Sequence, residues 1–275
     1  MKKILLINPP VPNILRESLP PVVEDDSGLF PPLGLLYLAA YVEGIEGCSV
    51  QILDCQAEEM GHNDLHEVIR GISPDVIGIQ VMTFTLIDAA IVAKTARNVV
   101  PDAYIVCGGP HPTIFPKETI DLPNVDAVIR GEGEYVFSEL VKAIVSGKAP
   151  ESAEGVITQN RRDVTHSLEY IEDLDVLKLP ARHLIDTAKY SSPLAKSSSI
   201  TTIMSSRGCP ARCVFCDRPQ MGKKFRKRSA AKVVEEMRYC KEQLRIDELF
   251  FYDDTFTIDR KRVSDICEMI IDSAL

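Results

Sequence analysis

The sequence contains no apolar stretch that is long enough to span a membrane. The stretch Leu35–Val42 is far shorter than the roughly 18 apolar residues that a spanning helix needs. The amino-terminal run Ile4–Ile7 is cut off by Pro9 and Pro10, whereas a signal peptide needs about 7–15 apolar residues in a row. These absences predict a cytoplasmic protein without a membrane partner.

Positive charge is also in deficit, because the 275 residues carry a net charge of −9. This balance argues against a general nucleic-acid binder, although the segment Lys223–Arg228 is strongly basic. We interpret that segment as a solvated face or as positive charge near an anionic cofactor. Apolar residues make up 45% of the chain, and its length leaves room for about two globular domains of ~150 residues each.

Residues 1–150 alternate between strand and helix patterns, which predicts an α/β fold with a doubly wound, parallel five-stranded sheet. Continuous apolar runs are typical of parallel strands that are covered on both faces. The runs are Lys3–Ile7, Val50–Leu53, Val76–Val81, Tyr104–Cys107 and Ala127–Ile129. Helix patterns cover Leu33–Val42, Asp64–Ile69, Leu86–Val99 and Tyr135–Val145, with a weaker candidate at Pro112–Leu122.

Four of the predicted strands lead into loops that are rich in glycine, proline or threonine. In a parallel sheet the ligand crevice lies beyond the carboxyl ends of the strands. Any one loop is equally consistent with a simple end to a strand, but four on one edge favour a ligand crevice. No Gly-x-Gly-x-x-Gly follows the first strand, which disfavours NAD. The candidate contacts are Asn8, Pro9, Pro10, Thr83, Thr85, Gly108, Gly109, His111, Thr113, Gly131, Glu132, Gly133 and Glu134.

Beyond this sheet, residues 151–195 are predicted to form a connector and residues 196–275 a second domain. The connector contains a possible small hairpin with arms at Gly155–Thr158 and Val164–His166. The second domain is predicted to hold a strand at Ile200–Met204, a helix capped by Ser229, a strand at Glu248–Tyr252 and a helix at Arg260–Ile271.

Three of the eight cysteines, Cys209, Cys213 and Cys216, lie within one short segment that follows a predicted strand. A structural zinc site would need a fourth ligand, and the nearest candidates in sequence are His183 and Cys240. Three thiolates instead suit an iron–sulfur cube with one iron left open to another ligand. This spacing favours a [4Fe–4S] cluster, with zinc or simple packing as the alternatives.

The pattern Cys209-x3-Cys213-x2-Cys216, with Phe215 before the last cysteine, resembles the signature of the radical SAM superfamily. The segment Asp253-Asp254-Thr255-Phe256 and the crevice loops resemble those of its cobalamin-dependent members. The resemblance implies that the three cysteines hold a [4Fe–4S] cluster at which S-adenosylmethionine is reductively cleaved to a 5′-deoxyadenosyl radical. It also implies that Asp253 and Asp254 serve S-adenosylmethionine and the catalytic site, one in ligand contact and the other in loop support.

The named groups that this chain resembles are the class B radical SAM methyltransferases and the anaerobic magnesium-protoporphyrin monomethyl ester cyclases. Cobalamin would then lie on the crevice loops, Phe215 would be a further cofactor contact, and the reaction would be methyl transfer or oxidative cyclisation of a small organic substrate. A flavodoxin or ferredoxin would supply electrons. No Asp-x-His-x-x-Gly motif follows the first strand, so binding without a histidine ligand is implied. The near match Asp64–Ile69, which contains His66, is interpreted as an exposed helix face.

The second domain is short for a complete (β/α) barrel, which needs ~250 residues or roughly 31 per unit. We therefore expect residues 196–275 to form the first part of a partial barrel. Two alternatives stay open. A methylthiotransferase acting on tRNA or a ribosomal protein would need a second cluster at Cys48, Cys55 and Cys107. A non-catalytic cobalamin or iron–sulfur module would need no further site.

Overall fold

The computed structural model describes residues 1–13, 28–162, 168–216 and 220–275. Their chain folds into two compact units, one within residues 1–18 and 34–169 and the other within residues 19–33 and 170–275. Among the described residues, no helix has the length and apolar character needed to cross a membrane.

The first unit is built around a six-stranded sheet. Its strands are β1 (Lys2–Asn8), β2 (Cys48–Asp54), β3 (Val76–Gln80), β4 (Tyr104–Gly108), β5 (Ala127–Ile129) and β6 (Val156–Thr158). They lie in the order β2-β1-β3-β4-β5-β6. The five predicted strands pair in parallel throughout, which confirms the predicted doubly wound sheet.

The sixth strand differs from the prediction. The sequence assigns Val156–Thr158 to a hairpin in the connector, but in the structure it pairs antiparallel with β5 and extends the sheet. Thr158 and Arg161 exchange backbone hydrogen bonds of 3.1 and 3.2 Å, which turn the chain after β6. The predicted second arm, 164–166, lies outside the described residues. A three-residue strand depends on its pairing partner, which a local pattern does not reveal.

Helices connect the strands as predicted. They are α1 (Leu33–Val42), α2 (His62–Ile72), α3 (Leu86–Val99), α4 (Pro110–Ile114), α5 (Pro116–Ile120) and α6 (Glu134–Val145). The weaker candidate helix is broken into α4 and α5 at Phe115, whose φ of −121° and ψ of 58° are not helical. The ring of Pro116 disfavours the helical conformation of the residue before it, which explains the break.

Both faces of the sheet are covered. Leu5 and Ile7 point into a core that also contains residues of α2 and α3. Leu6 alternates to the other face, where Gly78 leaves room for close packing: a Cβ at this position would lie 2.7 Å from Leu6 Cδ2 and 3.4 Å from Phe137 Cζ on α6. Parallel strands with both faces covered leave only their ends for ligands, and the order of strands reverses between β1 and β3.

The second unit contains a parallel pair of strands, β7 (Ile200–Ile203) and β10 (Glu248–Phe251), and an antiparallel pair, β8 (Ser206–Arg207) and β9 (Arg226–Lys227). Helix α7 (Ala230–Leu244) precedes β10 and α8 (Arg260–Asp272) follows it. The predicted cap is confirmed, because the Ser229 hydroxyl accepts a hydrogen bond from the Lys232 amide at 3.3 Å. The alternation of strand and helix is that of the first part of a (β/α) barrel.

A buried network of charges lies inside the second unit. Glu236 on α7 receives Arg182 Nη2 on one carboxylate oxygen at 2.6 Å and Arg228 Nη1 on the other. The side chains of all three residues are at most 3% exposed. Arg182 Nη2 also donates to the carbonyl of Thr202 on β7 at 2.6 Å, so the network fastens α7 to this strand.

Replacing the central carboxylate should destabilise the second unit strongly. Breaking a buried ion pair leaves uncompensated charge, so Glu236→Ala should lower the free energy of unfolding by about 3–5 kcal/mol. The adjacent Glu235 is 55% exposed and pairs with the exposed Lys232, so Glu235→Ala should change the free energy of unfolding by less than about 1 kcal/mol. Chemical denaturation followed by circular dichroism measures both, and equal effects of the two substitutions would contradict the prediction.

Candidate functional site

The cysteine loop, residues 208–225, is closed at its base by the pairing of β8 with β9. Ser206 lies opposite Lys227 and Arg207 opposite Arg226. Inside the loop the Cys209 amide donates to the Gly222 carbonyl at 3.3 Å, and the Cys216 amide donates to the Cys213 carbonyl at 3.2 Å. The first bond ties Cys209 to the returning arm of the loop, and the second forms a tight turn between Cys213 and Cys216.

Gly208 is required at the start of this loop. Its φ is +80°, and a Cβ there would lie 2.3 Å from the Lys224 carbonyl oxygen and 2.7 Å from that of Met221. Only glycine adopts this conformation and this close approach to backbone without strain. The two ends of the loop thus pass each other at a distance that excludes any side chain at Gly208.

The basic segment supports the loop from the other end. Arg226 donates to the carbonyls of Ile171 and Met221 at 2.6 and 2.7 Å, and its guanidinium lies 5.0 Å from the ring centre of Tyr170. Lys224 pairs with Glu172, and Lys227 pairs with Asp259. These pairings tie the basic segment to the rest of the second unit. They therefore favour a supporting role for the segment over a nucleic-acid surface.

The three cysteines lie near the solvent edge of the second unit. Cys209 is half-buried, Cys213 and Cys216 are exposed, and none of them is in a disulfide. Phe215 is 90% exposed at the tip of the loop. In the described ranges no three His, Cys, Asp or Glu side chains are grouped closely enough to hold a metal ion. The fit to an iron–sulfur cluster therefore rests on the donor chemistry, three thiols on one closed loop.

Asp253 braces the residues that precede the cysteine loop. Its Oδ1 accepts from the Ser205 amide at 2.7 Å, and its Oδ2 accepts from the Ser205 hydroxyl at 2.6 Å and from the Ser206 hydroxyl. Arg262 Nη1 donates to the Ser205 carbonyl and hydroxyl at 3.1 and 2.9 Å, and Arg262 Nη2 lies 3.7 Å from Asp253 Oδ2. Asp253 is thereby committed to loop support.

Asp254 is placed differently from its neighbour. It is exposed, and desolvation of its covered part, together with the adjacent Asp253 carboxylate, raises the pKa of its carboxyl group. Of the two predicted carboxylates, Asp254 is the one whose environment leaves it available to a ligand.

At the carboxyl edge of the first unit's sheet, hydrogen bonds join three of the predicted crevice loops. Thr113 Oγ1 donates to the Gly109 carbonyl and accepts from the Gly131 amide, each at 2.8 Å. His111 Nδ1 lies 3.3 Å from Thr83 Oγ1. Gly109 has a φ of +113°, and a Cβ there would lie 3.0 Å from the Val81 carbonyl. The loops after β3, β4 and β5 therefore form one connected wall.

His111 carries an unsatisfied buried nitrogen within this wall. The residue is 2% exposed, and its Nε2 has no hydrogen-bond partner within the described part of the chain. Burial lowers the pKa of its imidazole, which favours the neutral ring. Buried polar atoms are normally hydrogen-bonded, so an orphaned nitrogen among close-packed loops fits a ligand-binding position.

The loop after β1 is joined to β2 instead. Asn8 Nδ2 donates to Asp54 Oδ1 at 2.8 Å in a buried pair, and the Pro9 carbonyl accepts from Gln56 Nε2 at 3.2 Å. Pro9 and Pro10 are both buried. These three predicted contacts are therefore packed inside the edge of the sheet, where they hold the loop after β1 against β2.

The remaining predicted crevice residues divide by exposure. Thr85 is buried and closes its own turn, because its hydroxyl accepts from the Met82 amide at 3.0 Å, whereas Thr83 is exposed. Glu132 and Glu134 are buried. Gly108 is the last residue of β4. Gly133 is half-buried, and a Cβ at this position would lie 3.2 Å from Leu38 Cδ2.

An apolar rim beside these loops was not predicted from the sequence. Phe84, Ile87 and Phe115 are 56, 61 and 46% exposed, and they follow β3 and β4. The sequence signal that could have revealed this rim is the presence of large apolar residues in or next to turns. Ligand pockets combine apolar lining with a few polar groups, so this rim beside His111 fits a large, partly apolar ligand.

The cysteines of the first unit do not support a second cluster. Cys55 and Cys107 are buried, and burial raises the pKa of each thiol to about 12. Thiolates are the metal-binding form, so both residues are better suited to packing than to ligation. The methylthiotransferase alternative loses its required ligands.

Two family models match the chain. The model of the B12 binding domain matches residues 21–141, and the model of the Radical SAM superfamily matches residues 203–273. Together they cover β2 to β5 with the crevice loops that follow β3, β4 and β5, and the cysteine loop with β8 and β9.

Curated relatives match nearly the whole chain. An uncharacterized methyltransferase of Pyrococcus horikoshii is 37% identical over 96% of this chain and 56% of its own length. An anaerobic magnesium-protoporphyrin IX monomethyl ester cyclase of Rubrivivax gelatinosus is 30% identical over 89% of this chain and 45% of its own length. The chain thus spans about half the length of these relatives.

Solved structures share the fold. The radical S-adenosylmethionine methyltransferase TsrM from Kitasatospora setae has a TM-score of 0.72 at 20% identity, over 99% of this chain and 51% of its own. The cobalamin-dependent S-adenosylmethionine radical enzyme OxsB has a TM-score of 0.75 at 19% identity, over 98% of this chain and 37% of its own. The chain thus carries a match to the B12 binding domain ahead of a match to the Radical SAM superfamily.

Proposed function

We propose that the protein is a cobalamin-dependent radical SAM enzyme that modifies a small organic substrate. The observation that carries this proposal is the cysteine loop, in which β8 pairs with β9 to close a segment bearing three thiols. The wall around His111, in the same chain, supports cobalamin as the second cofactor. The relatives include methyltransferases and cyclases, so the reaction is methyl transfer or oxidative cyclisation.

Each group of residues has a proposed task. Cys209, Cys213 and Cys216 hold a [4Fe–4S] cluster, with Phe215 covering it. Asp254 contacts the amino group or ribose of S-adenosylmethionine, while Asp253 keeps the loop in place. When bound, the cluster supplies the electron that cleaves S-adenosylmethionine and cobalamin carries the methyl group or assists the oxidation. A flavodoxin or ferredoxin delivers that electron to the exposed side of the loop.

The cobalamin contacts lie on the joined loops of the sheet edge. Gly108, Gly109, Gly131 and Gly133 let these loops pack closely against one another and so shape the surface on which the ligand lies. The imidazole of His111 offers its unsatisfied nitrogen from inside the wall. Thr113 keeps two of these loops at a fixed separation.

Loss of the loop cysteines should abolish the cluster. After anaerobic reconstitution with iron and sulfide, the full chain should hold about four irons, and Cys213→Ala should lose most of them because one iron corner loses its thiolate. Cys267→Ala removes another exposed cysteine, on α8, and should keep the wild-type iron content. Iron and sulfide analysis measures both, with 5′-deoxyadenosine release from S-adenosylmethionine as a second readout. Wild-type iron content in Cys213→Ala would falsify the assignment.

A methyl group at Gly208 should disrupt the same loop without removing a ligand. Gly208→Ala places a Cβ against two carbonyl oxygens, so the chain ends must separate and iron retention should fall several-fold. Gly71→Ala in α2 meets no atom within 4 Å and should leave iron content unchanged, with stability changing by up to about 1 kcal/mol. Iron analysis after gel filtration distinguishes them, and full retention by Gly208→Ala would contradict the assigned role.

Removing the Thr113 hydroxyl should weaken cobalamin binding. Thr113→Val deletes the hydrogen bond from the Gly131 amide that joins the loops after β4 and β5, together with the bond to the Gly109 carbonyl within the loop after β4. The dissociation constant for hydroxocobalamin should therefore rise about tenfold. Thr119→Val is a matched control, because its buried hydroxyl donates only to the Phe115 carbonyl at 2.9 Å, four residues back. Spectroscopic titration measures both affinities. If the two substitutions weakened hydroxocobalamin binding equally, the cause would be general destabilisation and the assigned role of Thr113 would be wrong.

A further inference from the structure

A second cluster of polar side chains lies on the opposite half of the sheet edge. Asp88, in the first turn of α3, accepts two hydrogen bonds on Oδ1, from His62 Nε2 at 2.7 Å and from Asn13 Nδ2 at 2.6 Å. The side chain of Asp88 is fully buried and that of His62 is 18% exposed. The three residues come from the segments that follow β1, β2 and β3.

Two atoms of this cluster are buried without a partner. Asp88 Oδ2 and His62 Nδ1 have no hydrogen bond to any residue that the structure describes. Leaving a buried polar group unsatisfied is unfavourable and rare in folded proteins. Because His62 donates from Nε2 to a carboxylate, Nδ1 of the neutral ring is an acceptor, and Asp88 Oδ2 is an acceptor as well. In the protonated ring Nδ1 is a donor, so a group that can both donate and accept satisfies the pair in either state of the ring.

The position of the cluster also indicates a ligand. The strand order reverses between β1 and β3, and in open α/β sheets the ligand crevice opens at that point. Asn13 follows β1 and Asp88 follows β3, so their hydrogen bond links the two segments that diverge at the reversal. Neither residue belongs to the loops around His111.

We propose that His62 and Asp88 form a subsite for a hydroxyl or carboxamide group of cobalamin, a proposal that rests on the proposed function. Both groups donate and accept hydrogen bonds, as the unsatisfied atoms require. The hydroxyl would belong to the ribose of the nucleotide tail, and the carboxamides surround the corrin ring. Asn13 positions Asp88 by donating a hydrogen bond to Oδ1, the oxygen that also accepts from His62.

The test compares corrinoid affinities of the full chain and its variants. Asp88→Asn keeps the shape of the side chain, and His62→Phe keeps a ring without nitrogens. Each should raise the dissociation constant for hydroxocobalamin about 10- to 100-fold, the expected loss for hydrogen bonds to a charged group. His66→Phe is the matched control, because His66 lies on the same helix, is exposed and contacts Arg70, and it should bind like wild type.

A parallel titration with cobinamide, which lacks the nucleotide tail, identifies the group. If the variants bind cobinamide as wild type does, the bound group is the ribose hydroxyl; if they are weakened again, it is a corrin carboxamide. Wild-type affinity for both corrinoids in folded variants would overturn the subsite alone, whereas absence of corrinoid binding by wild type would overturn the proposed function with it.

Hydrogen exchange of the wild-type chain gives a readout that does not depend on the variants folding. Added hydroxocobalamin should slow amide exchange at the start of α2, where His62 lies, and at the start of α3. Protection limited to the loops after β4 and β5 would contradict the subsite even if Asp88→Asn does not fold.

Discussion

Both candidate sites depend on parallel pairing of strands. In a parallel pair the chain leaves every strand at the same edge, so residues far apart in sequence meet there without any long-range signal between them. The pairing of β1 with β3 brings Asn13 to Asp88, and that of β3 with β4 brings Thr83 to His111. In the second unit, β10 runs parallel to β7 and carries Asp253 to Ser205. Parallel pairing thus places these side chains in both units, whereas the antiparallel pairing of β8 with β9 closes the cysteine loop.

The two adjacent carboxylates of the second unit show how such an edge divides structural from chemical tasks. Asp253 is buried and its charge is balanced by hydrogen bonds from Ser205 and Ser206 and by the nearby Arg262. A buried carboxylate with these partners is held in place and is unavailable for exchange with a ligand. Asp254 has the opposite setting, exposed and with a raised pKa. The two adjacent residues, which follow β10, therefore have different surroundings and different roles.

Sequence patterns predicted what is encoded locally. The apolar runs located all five parallel strands because both faces of the sheet are covered, and the cysteine spacing located the loop because its three cysteines are neighbours in the chain. His66 was noticed and correctly interpreted as exposed, since it contacts Arg70 on the surface of α2. His62, one turn earlier, was missed because its meaning depends on Asp88, 26 residues away. The sixth strand was misplaced for the same reason, since its partner is β5.

Burial makes three of the eight cysteines poor candidates for metal binding. Burial raises the pKa of Cys55 and Cys107 to about 12 and that of Cys240 to about 11, so the thiolate that a metal requires is disfavoured in each core. The loop cysteines lie instead at the solvent edge, on a backbone closed by Gly208 and β8–β9 pairing. Burial therefore separates the three buried cysteines from Cys209, Cys213 and Cys216, which are neighbours in sequence and lie on one loop.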